Sequence, residues 1–299
     1  MIDKILYYIF LAFVFIVKLM PQNFRNFFFK TLADILYLFA SKTKKIIKTN
    51  LELAFGKDGL DQKRINEISK YCFYNMALWV KSSIENSFLS KEVMKNRFEF
   101  ENKDIIDDAL AQNKKIILIS AHFGNLEVLG YALNAFVTPM VQVARESNFK
   151  LIDKFITNSR EKVGAKIVYK EGAMRKLAKE LKQGKVLSLI IDQNINYVEG
   201  TAVKFFGHDA HQTSGAAFLA RKFDAVVIPV AIFNQDIDKY RVKFYEPVEH
   251  IVTDDSKDDI KKMTQLQANA IEKIIKEDPK QWFWCHKRWK STNAKIYKQ

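Results

Sequence analysis

His122 is followed, after four intervening residues, by a carboxylate in the run Ala121-His122-Phe123-Gly124-Asn125-Leu126-Glu127. In one continuous helix, positions five apart point about 140° away from each other, so the two side chains would not meet. They can meet if His122 sits on a strand-to-helix turn. Gly124 permits such a turn, Asn125 is suited to cap the helix that follows, and Glu127 falls in its first turn. A carboxylate reaching back to the imidazole would fix its tautomer and leave the other ring nitrogen to act as a base. The same seven residues also fit a structural histidine with a glutamate that complements the helix dipole.

Other polar residues stand where apolar runs stop. Lys115–Ser120 (KIILIS) ends at Ala121-His122, and Lys185–Ile191 (KVLSLII) ends at Asp192-Gln193. Both runs have the composition of buried strands. Further strands are expected at Pro139–Ala144, Lys166–Tyr169, Ala225–Phe233 and Tyr240–Phe244. Helical periodicity is expected over residues 60–100 and at Ile105–Gln112, Asn125–Leu133, Lys150–Val163, Met174–Gln183, Ser214–Lys222 and Lys261–Glu277. Apolar strands separated by helices predict an α/β fold, a central mostly parallel or mixed sheet flanked by helices. Ligands of such sheets bind outside the carboxyl ends of the strands, where His122 and Asp192 fall. Of the five histidines, only His208 and His211 are close in sequence. They flank Asp209 in an expected loop, and no metal site is expected.

Once the other blocks are added, the chain resembles a known family over nearly its full length. His122-x4-Glu127 in SAHFGNLE resembles the HX4(D/E) signature of membrane acyltransferases. The order of blocks resembles that of the lipid A biosynthesis (lauroyl/myristoyl) acyltransferases. These blocks are Ile46-x3-Asn50-Leu51-x2-Ala54-Phe55, Arg160-x3-Gly164-Ala165, Asp192-Gln193 with Val203-Lys204-Phe205-Phe206-Gly207 and Thr213, and Pro279-x-Gln281-Trp282-Phe283-Trp284-x-His286-Lys287-Arg288-Trp289-Lys290. Asn194-Ile195-Asn196 and Arg145-Glu146-Ser147-Asn148 depart from the family pattern.

The resemblance implies transfer of a fatty acyl chain from an acyl carrier protein thioester to a hydroxyl of a phosphorylated lipid A precursor, with no other cofactor. His122 would be the general base and Glu127 its orienter. Arg160, or backbone N–H groups near Gly124–Leu126, would stabilise the oxyanion. Asp192 would bind the acceptor or hold Arg160, and Asn125, Gln193, Lys204 and Arg288 are the remaining expected substrate contacts. An acyltransferase with another lipid acceptor shares HX4(D/E), but the FxxR-type and P-E-G-T-like blocks expected of a glycerophosphate enzyme are missing. A non-catalytic membrane-anchored protein is the alternative from another class.

Composition narrows the setting. The chain has 299 residues, a formal net charge of +14, 48% hydrophobic residues and only two cysteines, which excludes a disordered chain or a disulfide scaffold. Ile5–Val17 is free of charge, but as a helix its thirteen residues cover only about 20 Å, short of a comfortable bilayer span. Pro21 should end that helix, and FRNFFFK after it suits a membrane interface. Residues 1–40 are thus expected to form a membrane anchor and 41–299 the acyltransferase domain. More positive charge follows the apolar segment than precedes it, so the catalytic part is expected on the cytoplasmic face of the inner membrane. The basic surface suits a membrane surface, a phosphorylated glycolipid and an acidic acyl carrier protein. The bases are too dispersed for a nucleic-acid footprint. Trp282, Trp284 and Trp289 fit either an interfacial belt or core packing.

Overall fold

A computed structural model describes residues 2–56 and 59–298. Helix α1 (Ile2–Leu19) ends just before Pro21, whose ring cannot continue it, and α2 (Gln22–Phe39) begins directly afterwards. Helices α3 (Ser41–Phe55) and α4 (Gln62–Glu85) follow. The Asp61 side chain caps α4 by accepting from the Arg64 N–H at 2.7 Å. The rest alternates: α5 (Lys91–Lys95), β1 (Phe98–Glu101), α6 (Asp104–Ala111), β2 (Lys115–Ser120), α7 (Leu126–Phe136), β3 (Met140–Ala144), α8 (Lys150–Glu161), β4 (Lys166–Tyr169), α9 (Ala173–Lys182), β5 (Val186–Ile190), β6 (Thr201–Phe205), β7 (His208–Gln212), α10 (Gly215–Phe223), β8 (Ala225–Asp236), β9 (Lys239–Phe244) and α11 (Ser256–Glu277).

Seven strands form one sheet in the order β1-β9-β8-β2-β5-β3-β4, parallel throughout except between β8 and β9. Alternate residues of β2 go to opposite faces, as strand geometry requires. Ile117 and Ile119 join the core with α9, α10 and α11, while Ile116 and Leu118 join the one with α6 and α7. Both faces are therefore covered, and the central strands read as apolar runs for that reason.

The sequence pattern misjudged two places. The helical stretch expected over residues 60–100 breaks after Glu85, resumes only as the short α5, and gives way to β1, an edge strand whose alternation FEFE is half charged. His208 and His211, expected in a loop, lie on β7 of an antiparallel β6–β7 hairpin. The three C-terminal tryptophans are all buried, which decides for packing over an interfacial belt.

A buried ionic cluster ties α2 and α4 to the β8–β9 turn. Arg25 contacts Glu85 at 2.7 Å, Lys81 contacts Asp238 at 2.5 Å, and Arg97 touches both carboxylates at 3.2 and 3.3 Å. Gln22 donates to Asp238 at 2.7 Å. Burial alone would raise the Asp238 carboxyl, but the charge and hydrogen bond of Lys81 overcome this and hold it below the usual range. Three cations share two carboxylates here, so losing one anion strands buried positive charge. Glu85→Ala is expected to destabilise the fold by about 3–5 kcal/mol. A denaturant midpoint unchanged from wild type would show that the cluster is not the tie described.

Candidate active site

The pairing register of β2 and β5 builds the centre of the site. Ser120 faces Ile190 across the two parallel strands, and the Ile191 N–H donates to the Ser120 carbonyl at 3.1 Å. Two residues further along each chain, His122 and Asp192 come side by side. Asp192 is buried, and its carboxylate accepts from the His122 backbone N–H at 2.9 Å and lies 2.8 Å from His122 Nδ1. The Trp282 indole N–H donates to the same carboxylate at 2.7 Å. A carboxylate has no proton to give, so Nδ1 carries the hydrogen and Nε2 keeps its lone pair. Gln193 Nε2 stands 3.0 Å from that nitrogen on an exposed side chain, as the donor of an exchangeable contact.

Electrostatics supports this pairing. Burial disfavours an imidazolium at His122, but the Asp192 charge and hydrogen bond outweigh it, so its pKa is raised. Burial likewise works against the charged Asp192, yet His122 and the Trp282 donor hold its carboxyl below the usual range.

Glu127 takes a different part from the one expected. It does not orient His122. Its carboxylate is held by Arg160, through Nη2 at 2.5 Å and Nε at 3.3 Å, a two-point pair between the first turn of α7 and the last turn of α8. Asp192 neither holds Arg160 nor sits where an acceptor could reach it; it is the partner of His122. The reason is local. Glu127 leaves α7 toward α8, whereas the register of two neighbouring strands delivers Asp192 directly.

The turn itself is tightly held. Asn125 caps α7 by accepting from the Val128 N–H, and it donates to Ser82 of α4 at 2.8 Å. It is fully buried and serves to fix the turn, so it is no open substrate contact. The Gly124 carbonyl accepts from both Asn75 and the Trp79 indole, at 2.8 and 2.7 Å. From the other side the C-terminal segment pairs with the turn. Gly124 N–H donates to the Gln281 carbonyl at 3.0 Å and Phe283 N–H to the His122 carbonyl at 2.8 Å. Sequence reasoning missed Asn75, Trp79 and the anchoring part of Trp282, since nothing in a long helix or a tryptophan-rich tail marks a contact to residue 124 or 192.

Two expected substrate contacts lie elsewhere. Arg288 is buried, donates to the His211 carbonyl at 2.7 Å and covers the Phe205 ring, so it fastens the C-terminal segment to the β6–β7 hairpin. Burial pushes its pKa down to about 10. Lys204 is exposed on β6 and pairs with Asp209 at 2.9 Å.

A cleft of roughly 370 Å³ opens at His122. Leu126, Val143, Ile156 and Ile190 give it apolar walls, and Glu127, Arg145 and Arg160 supply charge. An imidazole with one free nitrogen, a cationic group and a partly apolar cleft together suit acyl transfer to an alcohol.

The sequence pattern of the family described as bacterial lipid A biosynthesis acyltransferase matches residues 1–291. The chain belongs to this family of lipid A biosynthesis acyltransferases. It is 24% identical over 246 residues to a lipid A biosynthesis acyltransferase of Haemophilus influenzae, covering 82% of this chain and 75% of that one. It is also similar to two Escherichia coli proteins. One is a lipid A biosynthesis palmitoleoyltransferase, 24% identical over 85% of this chain and 80% of its own length. The other is a lipid A biosynthesis lauroyltransferase, 25% identical over 85% and 81%.

In this acyltransferase the His-x4-Glu spacing serves two pairs. His122 is completed by Asp192, and Glu127 by Arg160. The turn between them requires Gly124, whose φ is +56°. A Cβ added there would stand 1.9 Å from the Ile232 carbonyl oxygen, a backbone atom that cannot step aside. Gly124→Ala is therefore expected to lower the thermal midpoint and abolish activity together. A variant as stable and active as wild type would show that the turn is not under this constraint.

Proposed function

We propose that this protein transfers a fatty acyl chain from an acyl carrier protein thioester to a hydroxyl of a phosphorylated lipid A precursor. His122 acts as the general base, and Asp192 fixes its tautomer. The observation that carries the reading is the buried Asp192 on Nδ1, which leaves Nε2 facing the cleft as a proton acceptor. An alcohol is a poor nucleophile, so its proton must leave as attack begins. The hydroxyl displaces the Gln193 amide from Nε2 and gives up its proton there while its oxygen bonds to the thioester carbon. As the tetrahedral intermediate collapses, the C–S bond breaks and the proton passes from Nε2 to the departing sulfur.

Two donors suit the developing oxyanion. The first-turn N–H groups of α7, at Leu126 and Glu127, have no partner within the helix. Arg160 uses two donors on Glu127 and keeps others for the cleft, where an oxyanion or an acceptor phosphate would pair with them. Glu127 in this reading positions Arg160.

The N-terminal helices support attachment to a membrane, expected at the cytoplasmic face of the inner membrane. Ile5, Ile9, Phe15 and Ile16 of α1 and Phe24 and Phe27 of α2 are exposed. No helix among the described residues is long and apolar enough to cross a bilayer, so the pair would lie in one leaflet. Helix α1 rests on α8 through an edge-to-face contact between Phe10 and Phe155 at 5.2 Å, and α8 supplies Ile156 and Arg160 to the cleft. A lipid acceptor would thus enter from the membrane side.

The test is transfer to a tetra-acylated lipid A precursor, followed by mass spectrometry of the lipid. Wild type is expected to add one acyl chain, and His122→Ala to add none while remaining folded. Folded wild-type protein that acylates no such precursor from any donor would refute the reading. A pH series sharpens it. Since Asp192 raises the His122 pKa, rate should climb with pH through a value above 6.5, the ordinary one. Asp192→Asn removes the negative charge, so the acid limb should move to lower pH as kcat falls by about 100-fold or more. An acid limb that stays in place would mean that Asp192 does not act on His122.

A further inference from the structure

One basic surface remains outside the chemistry above. Helix α3 and the C-terminal segment enclose a groove of roughly 190 Å³. Lys42, Lys45 and Lys287 line it, over an apolar floor that includes Ile46, Ile296 and Tyr297. Lys290 and Lys295 lie on the same C-terminal segment, and both are exposed. Lys48, one turn along α3, is paired with Glu52. By contrast, Lys42, Lys45, Lys287, Lys290 and Lys295 have no ion-pair partner among the described residues. Unpaired cations around an apolar floor have the make-up of an interface with a polar rim, and they call for an anionic partner.

The groove is joined to the catalytic base by a short run of hydrogen bonds. Asn50 of α3 is fully buried and donates to the carbonyls of Trp284 and His286 at 2.7 and 2.8 Å. Tyr297, in the groove wall, donates its hydroxyl to Asn50 at 2.5 Å. His286 Nε2 accepts the Asn194 N–H at 2.8 Å, and Ser291 donates to the Asn194 side chain at 2.7 Å. Asn194 directly follows Gln193, whose amide lies on His122. Burial lowers the His286 pKa to about 4, so the ring stays neutral and keeps accepting at physiological pH.

We propose that the α3–C-terminal groove is the docking surface for the acidic carrier protein that bears the acyl thioester. The proposal rests on the acyl-transfer reading above and adds where the donor sits. The carrier's acidic surface meets the lysine rim, an apolar side chain settles on Ile46 and Ile296, and the thioester-bearing arm runs toward the loop after β5. The attraction raises the encounter rate and fixes the orientation of the arm.

The test compares two donors with the intact protein: an acyl carrier protein thioester, and an acyl-pantetheine thioester that lacks both the protein and any phosphate. The double variant Lys42→Glu/Lys45→Glu is expected to raise KM for the carrier-protein donor by about tenfold or more, since reversed charges repel the carrier. Its kcat, and its KM for acyl-pantetheine, should stay near wild type. Helix α9 provides the control, as it has a second exposed basic face that includes Lys176 and Lys179. Lys176→Glu/Lys179→Glu should leave both donors unaffected.

Equal KM changes from the two double variants would overturn the proposal in favour of overall charge. So would a rise with acyl-pantetheine accompanied by weaker binding to anionic phosphatidylglycerol vesicles, which would make the groove a lipid contact. An unchanged KM for the carrier donor in an active variant would overturn it too. Absence of transfer from either donor by folded wild type would instead strike the acyl-transfer reading itself.

Discussion

The side-by-side parallel pairing of β2 and β5 is the constraint on which the site depends. Parallel strands hydrogen-bonded in register advance together, so residues equally far past a matched pair emerge as neighbours. Ser120 against Ile190 therefore brings His122 beside Asp192. A shift of one residue would turn every side chain of β5 to the other face of the sheet and expose its apolar set. The hydrophobic core that fixes the register is thus also what aligns His122 with Asp192.

Around that pairing the chain holds the turn from two sides. Helix α4 binds the Gly124 carbonyl through Asn75 and Trp79, and the C-terminal segment binds the backbone of His122 and Gly124. These contacts satisfy polar groups that would otherwise be buried without partners. They also explain the burial of the tryptophan-rich tail. Trp282 supplies a donor to a buried carboxylate, and Trp284 and Trp289 pack with Phe205, Phe206 and Phe55 to seat it. An ionised Asp192 in the interior is tolerable because each of its oxygens is hydrogen-bonded.

The faces of the molecule differ in what they expose. Helix α1, which exposes several apolar side chains, packs on α8, and α8 borders the cleft. The C-terminal segment that carries Lys287 meets the loop after β5 through His286 and Ser291. On the proposed reading, a lipid acceptor and a protein-borne donor approach His122 from separate directions. The Glu127–Arg160 pair stands within the cleft between α7 and α8, and its two contacts hold the guanidinium in place.

The amino-acid sequence by itself determined much of the fold. The apolar runs KIILIS and KVLSLII marked the central strands, and Gly124 with Asn125 marked the turn and cap after the first, because strand burial and helix capping act over a few adjacent residues. Of the eight residues it offered for a site, the fold brings His122, Glu127 and Arg160 to one cleft and sets Asp192 and Gln193 on the His122 ring. How they pair was decided only by the tertiary structure. Asp192 lies seventy positions from His122, and no local pattern states which strands become neighbours or in what register. The polar edge FEFE and the β6–β7 hairpin were illegible for a similar reason, since partners elsewhere in the chain stabilise them. Arg288 read as a substrate contact, but packing against Phe205 encloses it. A charge announces its type in the sequence, but whether it meets a substrate or fastens the core depends on what the fold brings around it.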